Sequence, residues 1–511
     1  MYRVAKNALF LYARTIVNTV VGIFTVQIML EALGVDDYGL QAVAGVGTGL
    51  FTFLIQVLGT STSRFLTFEL GRGDEKRTND TFCTTLILYI GLGILMAIIA
   101  ETVGMWVLHN KLQVPDGRMH AAEFIIHISA ISALVTLPQT PYSAVLNAHE
   151  KFNITASLSL FGTFYKLAIL LLIVHSGFDH LILYTLLMFL LSVANMIFIR
   201  IYCRRYPECR FRPVFSRTLM RPILRFSAWE LLGAISRTLK ATLYPMFINI
   251  FHGVRLNVAI GIGSTLSGAV TGMAFTITSA FKPVITKLFA ADRLSDMKDS
   301  VVLSTQLSMI LYGIFAAPLL AMLDYVMTLW LHDVPPLALE LCAIQLVINS
   351  VLLAYLIPAE GLKSMGRNKG TCTIEFIQMS IFSAILLTVL YLGMDPLIAC
   401  AVYEAGTICS FILSILLVRR HLGGAFVRRL VNVAILRVLI AEGVIFLILF
   451  TISHLLPATF LTLVLVCTLS VILFGAASLF WILEPDRRES LRLLIRTRLQ
   501  SIFPRPVRLP R

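Results

Sequence analysis

Charge is scarce in this chain. Only 14% of its 511 residues are charged, against 58% hydrophobic, and the mean hydropathy is +0.85. A soluble protein of this length needs more polar surface to stay dispersed. Alternating strands of about ten residues are absent, which excludes a transmembrane β-barrel. No loop is long enough to form a soluble domain. The eight cysteines (Cys83, Cys203, Cys209, Cys342, Cys372, Cys400, Cys409 and Cys467) contain no Cys-x-x-Cys pair. They read as small apolar or juxtamembrane residues, not metal ligands. There is no Walker loop, no Cys/His cluster and no serine elbow, so neither an ATP-driven motor, a metal centre nor a hydrolase is indicated. No cofactor is expected, and the chain is not expected to be an enzyme. The first apolar segment has no Ala-x-Ala site and is expected to be retained.

What the chain does have is a succession of apolar runs of about 20 residues, the length that spans a hydrocarbon core. The expected fold is an all-α polytopic membrane protein with about fourteen spans. They fall near 8–32, 39–63, 80–108, 121–147, 153–174, 180–200, 222–250, 256–281, 300–330, 337–361, 371–393, 396–418, 432–454 and 458–483. The net charge of +14 could suggest nucleic acid, but its distribution argues against that. Basic residues collect in alternate loops: Arg64 to Arg77, the arginine-rich stretch 201–221, Lys282 to Lys298, Lys363 to Lys369, Arg419 to Arg429, and the tail. The other loops hold almost nothing basic beyond Lys111, Arg118 and Arg255. This is the positive-inside pattern, and it places both termini in the cytoplasm. The tail, with Arg487, Arg488, Arg492, Arg496 and Arg498 beside Leu491, Leu494, Ile495 and Leu499, resembles a basic amphipathic helix lying on membrane lipids.

The two halves look related. Arg14-Thr15 in the first span resembles Arg237-Thr238 in the seventh, and Gly34-Val35 resembles Gly253-Val254. Thr62-Ser63-Arg64 followed by Gly73-Asp74 resembles Ser279 to Lys282 followed by Ala291-Asp292. Two parallel six-helix repeats are expected around a central cavity. The corresponding boundaries are an N-terminal lobe at 1–210, a C-terminal lobe at 211–420, two additional spans at 421–484 and a basic cytoplasmic tail at 485–511.

An arginine deep in a membrane helix costs about 2.5–3.5 kcal/mol on insertion scales. Arg14, Asn18, Gly22 and Thr25 share one face of the first helix. Ser227, Glu230, Ala234, Arg237, Ala241 and Tyr244 share one face of the seventh, with Lys240 a turn from Arg237. Such stripes must face protein or a water-filled cavity. Guanidinium groups bind phosphate oxygens bidentately and stay charged, which suits a pyrophosphate. The candidate substrate-binding residues are therefore Arg14, Asn18, Arg237, Lys240 and Tyr244, with Lys166 and Glu230 as secondary candidates. The competing reading of the same stripe is an ion pair in which Glu230 compensates Arg237. Acidic residues within spans include Asp324, Glu375, Glu404 and Glu442, any of which could carry a coupling proton or sodium ion, with Asp324, Glu404 and Glu442 as the named candidates. Gly45, Gly47 and Gly49 on span two, with Gly261, Gly263, Gly268 and Gly272 on span eight, follow no strand and are not nucleotide loops; Gly45-x-x-x-Gly49 and Gly268-x-x-x-Gly272 read as close helix packing.

The turn Leu33-Gly34-Val35-Asp36-Asp37-Tyr38-Gly39-Leu40, the stretch Arg64 to Asp74, and Asn147-Ala148-His149-Glu150-Lys151-Phe152 resemble Wzx-type polysaccharide flippases of the multidrug/oligosaccharidyl-lipid/polysaccharide exporter superfamily. The resemblance implies a bacterial inner-membrane flippase. It would carry an undecaprenyl-pyrophosphate-linked oligosaccharide between leaflets by alternating access, with polysaccharide polymerase machinery as a further partner. It also implies a cationic central cavity, where Arg14 and Arg237 fit. Many such chains have twelve spans; the two extra here resemble the lipid II flippase arrangement. A cation/drug antiporter of the same superfamily is the alternative, though the first helix offers no acid before Glu31. A polyprenyl-sugar glycosyltransferase or polymerase is a further alternative, prompted by Asp36-Asp37. Capping of the following helix accounts for those two residues more simply.

The charge pattern makes one expectation directly checkable. A reporter fused to the C-terminus reads out on the cytoplasmic face; a periplasmic signal overturns the even span count.

Overall fold

The computed structural model describes residues 2–110, 114–115, 117–331, 334–485 and 487–489, with 2–9, 13, 16, 19–20, 22–24, 26–27, 30, 35–36, 38–39, 42–52, 254–255 and 257 described by their backbone alone. Lys111 and the tail beyond Glu489 lie outside the described residues, as do the surroundings of Gly22, Asp36, Gly45, Gly47, Gly49 and Arg255.

The chain is helical, with no strand among the described residues. α1 (Tyr2–Arg72) is broken at Gly34 into two arms of membrane length. α2 (Glu75–Ile99) runs through a π-helical turn into α3 (Met105–Asn110). α4 (Met119–Thr136) and α5 (Thr140–Ala148) form one span interrupted around Pro138, which lacks the amide a continuous helix would need. α6 (Phe152–Ile173), α7 (His180–Cys203), α8 (Arg217–His252) and α9 (Val254–Ala290) follow. α10 (Leu294–Ala321) and α11 (Leu323–Leu331) make another two-part span. Then come α12 (Ala338–Ser364), α13 (Asn368–Tyr391) and α14 (Pro396–Leu422). α15 (Gly424–Arg429) leads through a π-helical segment, Leu430–Leu436, into α16 (Arg437–Leu455), and α17 (Phe460–Ala477) closes the series. With interrupted helices joined and α1 divided at Gly34, these are the fourteen expected spans. Eleven described helices are long and apolar enough to cross a membrane. α8 is not among them, because Arg217, Arg221, Arg225, Glu230, Arg237 and Lys240 make it polar.

The joints between helices carry the mark of a repeat. Positive φ occurs at Gly34, Gly73, Gly117 and Glu150, and again at Gly253, Asp292, Leu337 and Gly366. The pairs are separated by 219, 219, 220 and 216 residues. Gly34 and Gly253 share a φ of 78°, where an L side chain is strained. At Glu150 the amide donates to the Asn147 carbonyl and that of Lys151 to Leu146. Gly366 and Arg367 repeat this towards Lys363 and Leu362. Both are left-handed helix caps of the Schellman type. The second joint aligns Gly73 with Asp292, one residue away from the match expected from the sequence. Measured from Gly34 and Gly253, Arg237 falls at the register of Asn18, one turn closer to the joint than Arg14.

Two compact units are defined. One comprises 1–234 with 282–294, the other 235–281 with 295–511. In the first unit the core lies in clusters that tie the spans together. Met29 and Leu33 of α1 meet Ile169, Leu170 and Ile173 of α6, while Leu66 of α1 meets Phe82 of α2 and Val145 of α5. The arginine-rich segment after α7 is docked on this unit. Asn79 donates to the carbonyls of Glu208 (2.8 Å) and Arg210 (2.7 Å), and Glu208 pairs with His149, whose ring stacks on Tyr206.

Arg118 explains why a basic residue stands in a loop of the opposite polarity. Its Nε donates to Asp37 Oδ1 at 2.7 Å and its Nη2 to Asp37 Oδ2, while Nη1 and Nη2 reach Asp179. Asp37 is therefore spent on an ion pair and not, as expected, on capping. Asp179 also caps α7 by accepting from the amides of Leu181 and Ile182. Burial raises the Asp179 carboxyl, but the Arg118 bond and these amides outweigh it and hold the group below the usual carboxylate range.

The glycines divide differently from the expected packing motifs. Nothing lies within 4 Å of a Cβ built on Gly268 or Gly272, so they are not packing contacts in this unit. Gly263 does pack: its Cβ would stand 3.3 Å from the Cys342 backbone and 3.1 Å from Gln345 Oε1. Gly313 is tighter still, with Phe474 Cζ at 2.5 Å and Glu442 Cγ at 2.8 Å from a built Cβ.

Two stability measurements follow. Gly313→Ala drives a methyl into α16 and α17 and lowers stability by about 1–3 kcal/mol in thermal melts; an unchanged melting temperature contradicts the packing. Arg118→Ala costs on the order of 1–2 kcal/mol at neutral pH. The lowered Asp179 carboxyl stabilises the fold above its unfolded value near ~4 and loses that contribution as pH falls through its folded value. The gap between wild type and Arg118→Ala therefore narrows in acid; a gap that widens in acid refutes the clasp.

Candidate functional site

Each unit holds part of the expected cationic set. In the first unit, Arg14 and Asn18 lie half-buried on the first arm of α1. Asn18 joins α1 to α6: its Nδ2 donates to Ser159 Oγ (2.9 Å) and its Oδ1 accepts from Thr163 Oγ1 (2.8 Å). Thr25 donates to the Val21 carbonyl within its own helix. Asn18 and Thr25 are thus satisfied by packing. Lys166 is half-buried three residues beyond Thr163 on α6. Neither Arg14 nor Lys166 has a salt-bridge partner among the described residues. A cation without a counter-charge inside a spanning helix is costly unless water or an anion reaches it.

The second unit contains a cavity of about 490 Å³ lined by α8, α9, α12, α13 and α14. Each helix contributes a stripe at helical spacing. α8 supplies Ser236, Arg237, Lys240, Ala241 and Tyr244; α9 supplies Gly261, Ser264 and Ser267; α12 supplies Gln345, Asn349, Leu352 and Leu356. α13 adds Glu375, Gln378 and Met379, and α14 adds Tyr403, Glu404 and Thr407. Arg237 is 47% exposed and its Nη1 pairs with Glu375 Oε2 of α13, whose side chain is 13% exposed. Lys240 Nζ donates to Thr407 Oγ1 at 3.3 Å and stands 5.4 Å from the centre of the Tyr403 ring. Tyr403 returns a hydrogen bond to the Lys240 carbonyl (3.2 Å) and stacks on Tyr244 with centroids 4.6 Å apart and planes 3° from parallel. Ser267 donates to Gln345 Oε1 at 3.3 Å. The wall therefore offers two cations, two carboxylates, three amides and an aromatic pair.

This cavity brings together Arg237, Lys240, Tyr244 and Glu404 of the expected set. It does not include Glu230, which is buried in the first unit, at 5% exposure. The ion pair weighed for Arg237 exists, but its partner is Glu375. Asp324 is exposed at the start of α11. Glu442 is half-buried on α16, where Ser350 Oγ of α12 donates to its Oε2 at 2.9 Å. Tyr403, Thr407, Gln345, Asn349 and Gln378 were not expected in a site. The same stripe rule could have found them: Gln345 and Asn349, and Tyr403 and Thr407, are four residues apart in otherwise apolar spans. All eight cysteines are free, and no cluster of His, Cys, Asp or Glu among the described residues could hold a metal ion.

The fold has clear relatives. A family model described as MatE matches residues 15–172. An outward-facing multidrug resistance MATE family transporter of the MOP superfamily superposes with a TM-score of 0.70 at 13% identity, covering 82% of this chain and 95% of that one. A MATE structure in the bent conformation gives 0.72 at 12% identity, over 84% of this chain and 96% of that one. A MOP superfamily transporter from Pyrococcus furiosus, described as having a binding pocket of reverse polarity that suggests a different function, gives 0.65 at 12% identity over 83% and 96%. No curated protein gives a significant match to the chain. The chain has the multi-pass helical fold of MATE transporters in the MOP superfamily. The superfamily fold expected from the sequence is found, and none of these likenesses singles out the polysaccharide-flippase branch.

Proposed function

We propose that this chain is a flippase for an anionic lipid-linked saccharide, a polyprenyl-pyrophosphate-linked oligosaccharide, working by alternating access in a bacterial inner membrane with both termini cytoplasmic. The observation that carries this reading is the pair Arg14 and Lys166. Both are half-buried in spanning helices and have no salt-bridge partner among the described residues. A phosphate-bearing substrate supplies the missing counter-charge. In the second unit, Lys240 beside the stacked Tyr244 and Tyr403, with Gln345, Asn349 and Gln378, suits a hydroxyl-rich group next to an anion. The superfamily fold favours transport over catalysis.

A second reading has its own support. Glu375 and Glu404 line the cavity of the second unit, and carboxylates attract cations. A cation/drug antiporter would use them, as the name of the multidrug resistance relative invites.

Purified protein in liposomes, with a short-sugar polyprenyl pyrophosphate on one leaflet, separates the two. Wild type transfers the lipid, and Arg14→Ala and Lys166→Ala each reduce the rate at least about tenfold, roughly one lost charge-assisted contact. Gradient-driven export of cationic dyes without lipid transfer selects the antiporter. Lipid transfer unaffected by both substitutions moves the anion site elsewhere.

A further inference from the structure

We propose that Glu375 is a resident counter-ion that occupies Arg237 when the cavity of the second unit is empty and yields it to a phosphate or pyrophosphate group. It thereby sets the affinity of that cavity for anions. The inference rests on the anionic-substrate reading above and deepens it.

The arginines of this chain are held in two ways. Arg118 and Arg429 are saturated. Arg118 grips both oxygens of Asp37 and both of Asp179. Arg429 gives Nε and Nη2 to Glu484 (2.8 and 2.7 Å) and Nη1 to Asp299 (2.5 Å). A guanidinium used in this way has no edge left for a ligand. Arg237 is different. Among the described residues it makes one polar side-chain contact, from Nη1 to one oxygen of Glu375, and it remains 47% exposed in a cavity wall. Its Nε–Nη2 edge, the side suited to a bidentate phosphate, makes no contact with Glu375. Lys240 lies one turn along the same helix face, and its ammonium is bonded only to the Thr407 hydroxyl.

The exchange follows from geometry. A single N–H···O contact neutralises Arg237 in the resting cavity, where an unpaired cation would be penalised. A pyrophosphate offers several oxygens to Arg237 and Lys240 together and outcompetes one carboxylate oxygen. Glu375 lies on α13 and Arg237 on α8, so the exchange releases a tie between two helices as the ligand arrives. No bond is made or broken.

The test is calorimetric titration of the purified full chain with inorganic pyrophosphate and with farnesyl pyrophosphate. Glu375→Gln keeps the shape, removes the charge and tightens binding at least tenfold. Glu375→Asp keeps the charge, withdraws it by one methylene and also tightens binding. This second variant covers the case in which Glu375→Gln fails to fold, which thermal melting reports. Glu404→Gln, which removes a cavity carboxylate not paired with Arg237, changes affinity less than threefold. Arg237→Ala weakens binding at least tenfold and cancels the tightening by Glu375→Gln, leaving only the weaker binding of other cations such as Arg14 and Lys166. Tightening for both probes assigns the effect to free phosphate chemistry; tightening for farnesyl pyrophosphate alone assigns it to a lipid headgroup. If Arg237→Ala weakens binding while Glu375→Gln binds as wild type does, the counter-ion role is wrong and the anion site stands. Equal tightening by Glu375→Gln and Glu404→Gln reduces the effect to bulk charge and also overturns it. No binding to any folded variant removes the anion reading of this cavity along with the inference.

Discussion

Everything in this structure answers to one constraint: a polar group inside a membrane-spanning helix must find a partner without the help of bulk water. Most hydroxyls solve it locally. Thr25, Ser61, Thr67, Thr271 and Thr305 each donate to the carbonyl four residues earlier. That bond needs no neighbour and says nothing of function. Asn18 solves it between helices, holding α1 to α6 through Ser159 and Thr163. Charges are the harder case, and the chain treats them unequally. Arg118 and Arg429 are each held by two carboxylates, whereas Arg237 has one, and Arg14 and Lys166 have no salt-bridge partner among the described residues. Because leaving a cation open costs more than closing it, the open ones are where function is to be sought.

The joints obey a second constraint that reinforces the first. A long membrane helix that must turn back needs a residue tolerating positive φ, and capping bonds to satisfy its last carbonyls. Four such residues recur at nearly constant separation in the two halves. Their identity is not conserved between halves: glycine faces aspartate at one joint, leucine at another, and glutamate faces glycine at a third. What is repeated is the backbone conformation, while side chains at the joints have taken on other work. Glu150, at such a joint, pairs with Lys287 at 2.7 Å in the first unit.

Much of the fold was legible in the sequence, because hydrocarbon thickness dictates span length. The interrupted spans around Pro138 and Met322 were read as continuous, since apolar composition runs through both breaks. The site was legible only in part. Arg237, Lys240 and Tyr244 announced themselves by sharing a face of α8. Their partners Glu375, Tyr403 and Thr407 lie more than 130 residues away, and no local pattern says which helix packs opposite. Proximity along one helix favoured Glu230 as the partner of Arg237; the fold buries Glu230 in another unit and supplies Glu375 instead. The repeat misled in a similar way. Two Arg-Thr pairs suggested a duplicated site, but the register set by Gly34 and Gly253 puts Arg237 opposite Asn18, one turn from Arg14.

The two units therefore differ in electrostatic character, and the difference bears on what can bind. A charge held about 8 Å from another, at an effective dielectric near 20, feels roughly 2 kcal/mol. In the first unit Arg14 and Lys166 have no salt-bridge partner among the described residues, so near each of them an approaching cation is repelled and an anion drawn in by that order of energy. In the second unit Glu375 and Glu404 offset Arg237 and Lys240, so the cavity is near neutrality at rest. A neutral wall with a stacked tyrosine pair and three amides favours an uncharged, hydroxyl-bearing group until the Arg237–Glu375 pair opens.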